Sequence, residues 1–332
     1  MKCVARAAWV LLLGGCILPD DGPLARYEFE EPHMGTAVRV VLYASSPELA
    51  ERGRKAAFAV MKEVDDLMSD YKPESELSRL SRAAGKGPQP VSQALFDVLE
   101  ASIRTAELSQ GTFDVTIGPL IRLWRRSRKE LQLPSPEEIR AAQALVDYRK
   151  LSLDRTKRTA ELRQEGMILD LGGIAKGYAC DRALAVLKEL RLSRALIDTG
   201  GGMALGDPPP DKPGWRIGML GDSSRVLVLK NCGVSTSGDV EQFVEIDGKR
   251  YSHIIDPATG LGLTNQAMAT VIAPTGLQSD ALDTPICILG PERGLKMASG
   301  QPGVEAWTQW VENRRRKRAE TPGFKAYEAP SE

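Results

Sequence analysis

The sequence predicts a protein that mixes β-strands with amphipathic helices, and three observations carry that prediction. Residues 26–31 and 36–43 alternate in polarity with the period of two that a strand requires. The segments after Ser46 and Ser92 repeat apolar residues with a helical period. Between residues 167 and 190 the two patterns meet. Met167, Ile168 and Leu169 form an apolar run, Asp170 and the glycines Gly172 and Gly173 interrupt it, and Ala175, Ala179, Ala183 and Leu187 then recur every fourth residue. That order reads as strand, tight turn and helix N-terminus. A chain of 332 residues leaves room for one large domain or two ordinary ones.

The elements follow in chain order. Ser46-Pro47-Glu48 supplies a capping hydroxyl, a proline in the first turn and an acid near the positive end of a helix dipole. The helix runs to about Met68, with Ala57, Val60, Met61, Val64, Leu67 and Met68 on one face. A second helix, residues 92–109, carries Leu95, Val98, Leu99, Ile103 and Ala106 and closes at Gly111. Phe113 then anchors a buried turn, Asp114 accepts bonds from local N–H groups, and Gly118-Pro119 breaks the chain. The basic run 125–129 reads as a solvated helix face, and Pro134-Ser135-Pro136 opens a short helix. Short strands are expected at 150–153 and 158–162, and the helix after the central turn ends near Leu190. Beyond it come strands at 195–198, 215–219, 226–229, 268–273 and 304–311, a loop of hydroxyls at 233–239, and a basic turn at 314–318. His253 is expected on a strand beside Ile254 and Ile255.

Composition narrows the function. Lys+Arg and Asp+Glu are equal at 44 each, without the basic excess of a nucleic-acid protein. Aromatic residues are 5% of the chain, too few for a base-stacking platform. The five cysteines, Cys3, Cys16, Cys180, Cys232 and Cys287, form no CxxC pair or Cys/His cluster of the kind that holds zinc. The chain opens MKCVARAAWVLLLGGC: Lys2 and Arg6 are basic, residues 7–13 are apolar but too few to span a bilayer, and Leu13-Gly14-Gly15-Cys16 resembles a bacterial lipobox. The expected product begins at a lipid-modified Cys16 after a signal peptide of residues 1–16. A tether of residues 17–25 follows, and a globular domain held outside the cytoplasm by the anchor. The expected location is the periplasmic side of a bacterial membrane, the inner one, although Ile17 is not the Asp that marks retention there in some bacteria.

Two constellations carry chemistry. The turn before the second-half helix presents free backbone N–H groups and a positive dipole end to an anion, with paired glycines for close approach and Lys176 as a point charge. Asp280, Asp283 and Thr284 stand at i, i+3 and i+4, so on a helix they share one face. Two carboxylates and a hydroxyl make a hard oxygen site for Mg²⁺.

The strings are more specific than this physics. Asp170-Leu-Gly-Gly-Ile-Ala-Lys-Gly-Tyr-Ala-Cys-Asp181 resembles the DLGGIAKGYAxD signature of the FAD:protein FMN transferase (ApbE) family. In family order, this chain also has Met34-Gly35-Thr36, Tyr71 followed by Pro73-Glu74-Ser75-Glu76-Leu77, and residues 111–124, which match G-x-F-D-x-T-x-G-P-L-x-x-L-W. Residues 235–239 are similar to A-T-S-G-D, residues 251–260 to Y-S-H-I-I-D-P-x-T-G, and Asp280–Thr284 to D-A-x-D-T. The three glycines at 200–202 resemble a family GGN turn, with Gly202-Met203 in place of Asn-Ile.

The resemblance, spanning about residues 26–325, implies an α+β fold: one unit of mixed, largely antiparallel sheet with flanking helices and a ligand cleft between subdomains. Residues 326–332 remain as a tail. It implies a transferase that cleaves FAD, moves FMN onto a Thr or Ser hydroxyl of a target protein and releases AMP, with FAD as substrate rather than resident cofactor. Flavin contacts are implied at Met34, Tyr71, Thr112, Phe113, Asp114, Asp170, Lys176 and Ile254. The implied magnesium ligands are Asp280, Asp283, Thr284 and the Gly173 carbonyl. His253 is the implied base and Lys176 the implied stabiliser of developing charge. The implied acceptors are flavin-bearing subunits of membrane redox complexes such as sodium-pumping NADH:quinone reductase. Two alternatives keep the flavin: a magnesium-dependent FAD pyrophosphatase, and a non-catalytic flavin-binding lipoprotein. A tethered adhesion or structural module would bind none.

Overall fold

Met34 and Gly35 both adopt positive φ, 51° and 74°, the pair of left-handed residues that closes a two-residue hairpin in register with strand twist. In the computed structural model, which describes residues 22–238 and 243–330, that turn joins β1 (Ala25–His33) to β2 (Thr36–Ala44). Cys16, most of the tether and Asp239 lie outside the described residues.

Helix α1 (Pro47–Met68) begins where the sequence places it: the Ser46 hydroxyl accepts from Leu49 N at 3.2 Å, a cap worth about 1 kcal/mol. The first half continues with α2 (Glu76–Arg82), β3 (Gln89–Pro90), α3 (Gln93–Leu108), α4 (Gly118–Glu130) and α5 (Pro136–Gln143). A single turn (Tyr148–Lys150), β4 (Leu151–Asp154) and β5 (Thr159–Leu162) complete it. The second half runs α6 (Ala175–Glu189), β6 (Ala195–Asp198), β7 (Gly202–Leu205), β8 (Trp215–Met219), β9 (Asp222–Leu229) and β10 (Cys232–Gly238). Short pieces follow: β11 (Phe243–Ile246), β12 (Lys249–Ser252), β13 (Ile255–Asp256) and β14 (Leu261–Gly262). The chain then forms β15 (Met268–Ala273), α7 (Gly276–Ser299), β16 (Glu305–Glu312), β17 (Arg315–Glu320) and a one-turn helix, Phe324–Tyr327.

One eight-stranded sheet, ordered β1-β2-β6-β7-β10-β15-β16-β17, organises these elements, and each neighbouring pair in it is antiparallel. The period of two sorts its side chains. Val38, Val40, Leu42 and Ala44 of β2 enter the core shared with α1, α3 and α6, whereas Val41 joins Trp215, Leu227 and Phe324 on the opposite face. β15 divides likewise: Ala269, Val271 and Ala273 pack with Leu282 and Ile286 of α7, and Met268 and Ile272 pack on the other side. A separate cluster of Leu120, Trp124, Val244, Tyr251 and Ile255 fastens α4 to the β11–β12 hairpin. The mixed α+β class is thus the observed one. Among the described residues no helix is long and apolar enough to cross a membrane.

Several local expectations are corrected. The apolar run 167–169 makes only a single parallel bridge, Ile117 to Ile168, because its other N–H groups go elsewhere, Met167 N to the Gln164 carbonyl and Leu169 N to the Ser81 hydroxyl. Gly118-Pro119 does not break the chain but opens α4. At the end of α3 the first left-handed seat falls to Gln110 (φ 55°), with Gly111 (φ 80°) one place on. The 233–238 segment is no loop: it is β10, paired with β7 and β15, so its backbone N–H groups are largely spent on the sheet. Among the basic residues 314–318 only Arg314 belongs to a turn, with Asn313; both have positive φ, and Arg315 onward is the edge strand β17. His253 sits in a bend between β12 and β13 rather than within a strand.

Candidate active site

The turn before α6 is held from three sides. Asp170 N donates to the Val115 carbonyl at 2.8 Å, and Asp170 Oδ1 accepts from Gly172 N at 2.9 Å. Asp170 Oδ2 accepts from Arg125 Nη2 at 3.1 Å. Burial pushes the Asp170 carboxyl above its ordinary range, the neighbouring Asp70 adds to the rise, and the Gly172 N–H and Arg125 oppose it. Arg125 also binds Asp70, and its guanidinium lies 4.1 Å from the centre of the Tyr71 ring. This corrects the reading of 125–129 as a solvated face: Arg125 is the joint between three residues of the candidate site. Tyr71 itself is 74% exposed, so its other face is open.

Lys176 Nζ donates to the Gly172 carbonyl at 2.9 Å, so the ammonium folds over the glycine turn instead of pointing into solvent. The N–H of Gly177, which the sequence offers to an anion, donates instead to Asp280 Oδ2 at 2.9 Å. That bond needs a glycine: a Cβ at Gly177 would stand 2.1 Å from the Gly276 carbonyl oxygen, because α6 and α7 touch backbone to backbone. Asp181, one turn on, accepts from Gly276 N and Leu277 N at 2.7 and 2.8 Å. With the Thr275 hydroxyl it caps α7, so neither Asp280 nor Asp283 is a capping residue.

Asp280 and Asp283 are buried, 4% and 3% exposed. Asp283 Oδ2 accepts from the Ser235 hydroxyl at 2.6 Å, and the Thr284 hydroxyl lies 3.2 Å from both Asp283 Oδ1 and Ser237 Oγ. Burial raises the Asp283 carboxyl well above its usual range, and the charge of Asp280 raises it further. A cation would relieve both effects. Gly173 completes the group: a Cβ there would fall 3.8 Å from Thr284 Oγ1 and 3.5 Å from the Phe113 ring. Among the described residues no three His, Cys, Asp or Glu side chains gather as a metal group. A cation held here would therefore use the Thr284 hydroxyl and a backbone oxygen beside the two carboxylates. That all-oxygen, doubly anionic set fits Mg²⁺.

Gly200, with φ 77°, presents its α-carbon to Thr36, since a Cβ would lie 3.0 Å from Thr36 Oγ1. The β6–β7 turn thus meets the β1–β2 turn that bears Met34, and Met34 lines a shallow pocket of about 410 Å³ with His33 and Asp65. Gly201 O accepts from Thr236 N at 2.8 Å, joining that turn to β10. His253 is half-buried between Ser252 and Ile254, and Ile254 packs in the cluster that includes Leu282 and Ile286 of α7. Asp114 is fully engaged: Oδ1 accepts from Thr116 N and Oγ1 at 2.8 and 2.7 Å, and Oδ2 from Tyr148 N at 2.8 Å. It shapes the turn that carries Thr112 and Phe113. Of the three thiols among the described residues, Cys180 and Cys287 are buried, and burial pushes the Cys180 thiol up.

Residues 34–308 match the model of the ApbE family, a span that contains every motif above except those before Met34. The chain belongs to the ApbE family. An FAD:protein FMN transferase of Klebsiella pneumoniae (strain 342) is 33% identical over 288 residues, covering 84% of this chain and 88% of the relative. The protein of that name from Haemophilus influenzae is also 33% identical, covering 80% and 81%. Among solved structures, the flavin transferase ApbE of Vibrio cholerae superposes with a TM-score of 0.81 at 26% identity, covering 92% of this chain and 100% of that one. The apo flavinyl transferase ApbE of Pseudomonas stutzeri gives 0.80 at 29%, covering 92% and 97%. The ApbE fold and membership are therefore shared along nearly the whole chain.

Arg125, Ser235, Gly177 and Asp181 were not singled out as site residues from the sequence. Gly177 and Asp181 stand inside the DLGGIAKGYAxD string, which was the available signal. Ser235 opens the 235–239 string that resembles A-T-S-G-D, which was its signal, whereas Arg125 had none, since its partners are 45 and 55 residues away.

Proposed function

We propose that this ApbE-family chain transfers FMN from FAD to a Thr or Ser hydroxyl of a target protein and releases AMP. The observation that carries the proposal is the meeting of Asp280, Asp283 and Thr284 with the Gly173 turn, beside the Phe113 ring. On this reading the two carboxylates and the hydroxyl are the oxygen ligands, and the Phe113 ring beside them is a wall for the flavin. Asp280, Asp283, Thr284 and the Gly173 carbonyl would hold Mg²⁺, whose bound charge would neutralise the pyrophosphate of FAD.

The chain's own residues do the rest. Met34, Tyr71, Thr112, Phe113 and Ile254 contact the flavin, and Asp170 and Asp114 fix the turns that shape its seat. His253 takes the proton of the acceptor hydroxyl. The freed oxygen attacks the FMN phosphorus, a new P–O bond forms, and the bond from that phosphorus to the bridging oxygen breaks, so the electron pair leaves with AMP. Lys176, held over Gly172, offsets charge that develops on the departing phosphate.

The lipobox reading places this chemistry at the periplasmic face of a membrane through Cys16. The acceptors would then be flavin-bearing subunits of membrane redox complexes. The test mixes the protein with FAD, Mg²⁺ and a candidate acceptor domain and follows acceptor mass and AMP. An acceptor heavier by one FMN, lost in His253→Ala and Asp280→Ala, supports the proposal. AMP and free FMN with acceptors left unmodified would replace it with the pyrophosphatase reading.

A further inference from the structure

Ser235 stands on β10, paired with Gly202 of β7 on one side and Val271 of β15 on the other. Its side chain is 2% exposed and faces α7. The hydroxyl lies 2.6 Å from Asp283 Oδ2 and 3.2 Å from the Gly201 carbonyl. One hydroxyl has one proton to donate, and the nearer acceptor, the Asp283 oxygen, takes it. Both flanking strands pin the backbone of Ser235, so this donor cannot follow a moving carboxylate. In the A-T-S-G-D pattern quoted above, the first place is Ala; here it is Ser.

We infer that Ser235 is a positioning residue that holds Asp283 in single-oxygen coordination and so favours Mg²⁺ over the larger Ca²⁺. The inference rests on the metal assignment proposed above. With Oδ2 tied to Ser235, Asp283 has Oδ1 left to offer, and Oδ1 is the oxygen on the side of Thr284, 3.2 Å from its hydroxyl. Ca²⁺ takes six to eight oxygens and readily accepts both oxygens of a carboxylate, whereas Mg²⁺ demands a compact octahedron of single donors. A carboxylate fixed at one oxygen suits the second ion. Ser237, two residues on and therefore on the same face of β10, makes the matching contact to Thr284 at 3.2 Å. The strand thus braces two successive residues of α7, each from one hydroxyl.

The test titrates the full chain calorimetrically with MgCl₂ and, separately, with CaCl₂. Ser235→Ala and Ser235→Thr are run in parallel, with Asp280→Ala as the blank. The expected result is a loss of about tenfold in Mg²⁺ affinity in Ser235→Ala, the scale on which partners of metal ligands act. Ca²⁺ affinity should fall less, so the preference between the ions narrows, and Ser235→Thr, which keeps the hydroxyl, should restore it. Equal Mg²⁺ affinity and an equal Mg²⁺/Ca²⁺ ratio in wild type and Ser235→Ala would overturn the role of Ser235 and leave the metal site standing. An absence of Mg²⁺ uptake by wild type, or uptake unchanged in Asp280→Ala, would overturn the metal assignment and this role with it. Circular dichroism of the ion-free variants checks folding. Should Ser235→Ala fail that check, Ser235→Thr decides: a wild-type ratio supports the inference, and a ratio shifted toward Ca²⁺ with the hydroxyl kept overturns it.

Discussion

Replacing Gly177 with Ala tests the contact on which the candidate site depends. A Cβ there would lie 2.1 Å from the Gly276 carbonyl oxygen, 2.5 Å from its carbon and 2.7 Å from Asp280 Cβ. Carbon and oxygen in close non-bonded contact rest at roughly 3.3 Å, so α6 and α7 must part by about 1 Å. The obstacle is backbone, which cannot rotate aside. Parting stretches the bond from Gly177 N to Asp280 Oδ2, now 2.9 Å, to roughly 4 Å, outside hydrogen-bonding range. Overpacking costs about 1–3 kcal/mol, and a buried carboxylate deprived of a donor costs about 1.5–3 kcal/mol. The better helix propensity of Ala returns about 1 kcal/mol. The net expectation is a loss of about 1.5–5 kcal/mol, measured as the change in unfolding free energy from urea titration at pH 7. Gly218→Ala in β8 is the control, because nothing lies within 4 Å of its added methyl. A Gly177→Ala protein within about 0.5 kcal/mol of wild type, the usual scatter of surface changes, would refute the reasoning.

Three further outcomes follow from the same structure. Burial raises the Asp181 carboxyl from 3.8 to about 6 in the folded protein, so between those values the folded state holds a proton that the unfolded state has released. The resulting stability is present at low pH and is lost as pH rises from about 4 to about 6, up to roughly 3 kcal/mol in all. Urea midpoints of wild type should fall over that window relative to Asp181→Asn, and parallel profiles would contradict it. Arg125→Ala should cost about 1–2 kcal/mol, less than the loss of a fully buried pair because the side chain is 30% exposed. It should also weaken FAD binding by freeing Tyr71 and Asp170. Arg125→Lys should recover part of the stability but not the stacking, read as incomplete quenching of flavin fluorescence. Trp124→Phe removes the donor at 2.8 Å from the Gly260 carbonyl and leaves that oxygen unpaired in the core, an expected loss of about 1–3 kcal/mol by thermal or urea unfolding.

How much of this was legible in the sequence depended on whether the information was local. α1 was readable to the residue because the Ser46 cap, Pro47 and the apolar stripe all lie within it. β15 matched its expected limits for a similar reason: a short run rich in β-branched residues, Thr270, Val271 and Ile272, that stops at Pro274 reads as a strand from its own residues. β10 misled because its two serines and two glycines weaken the strand signal, and it is a strand only through its two neighbours. The basic segment misled for the opposite reason, since charge on an edge strand looks like charge on a turn. At the site, the trio of α7 was readable from spacing. Its surroundings were not. Ser235, Gly177 and Arg125 acquire meaning only when segments 45 or more residues apart meet.

The strand order fixes when the protein can first bind anything. β2 finds its inner partner only in β6, and the ion pair across that seam, Arg39 to Asp198, joins residues 159 positions apart. The turn at Gly173 must then wait for α7, whose contact through Gly177 and Asp280 closes a further 103 positions. Closing such long loops carries an entropic cost before any contact repays it, and slows folding. The part of the candidate site built on the Gly173 turn and α7 therefore cannot form from the N-terminal half alone. Ligand-induced protection from proteolysis should appear late in refolding and all at once, which makes binding a gauge of global order.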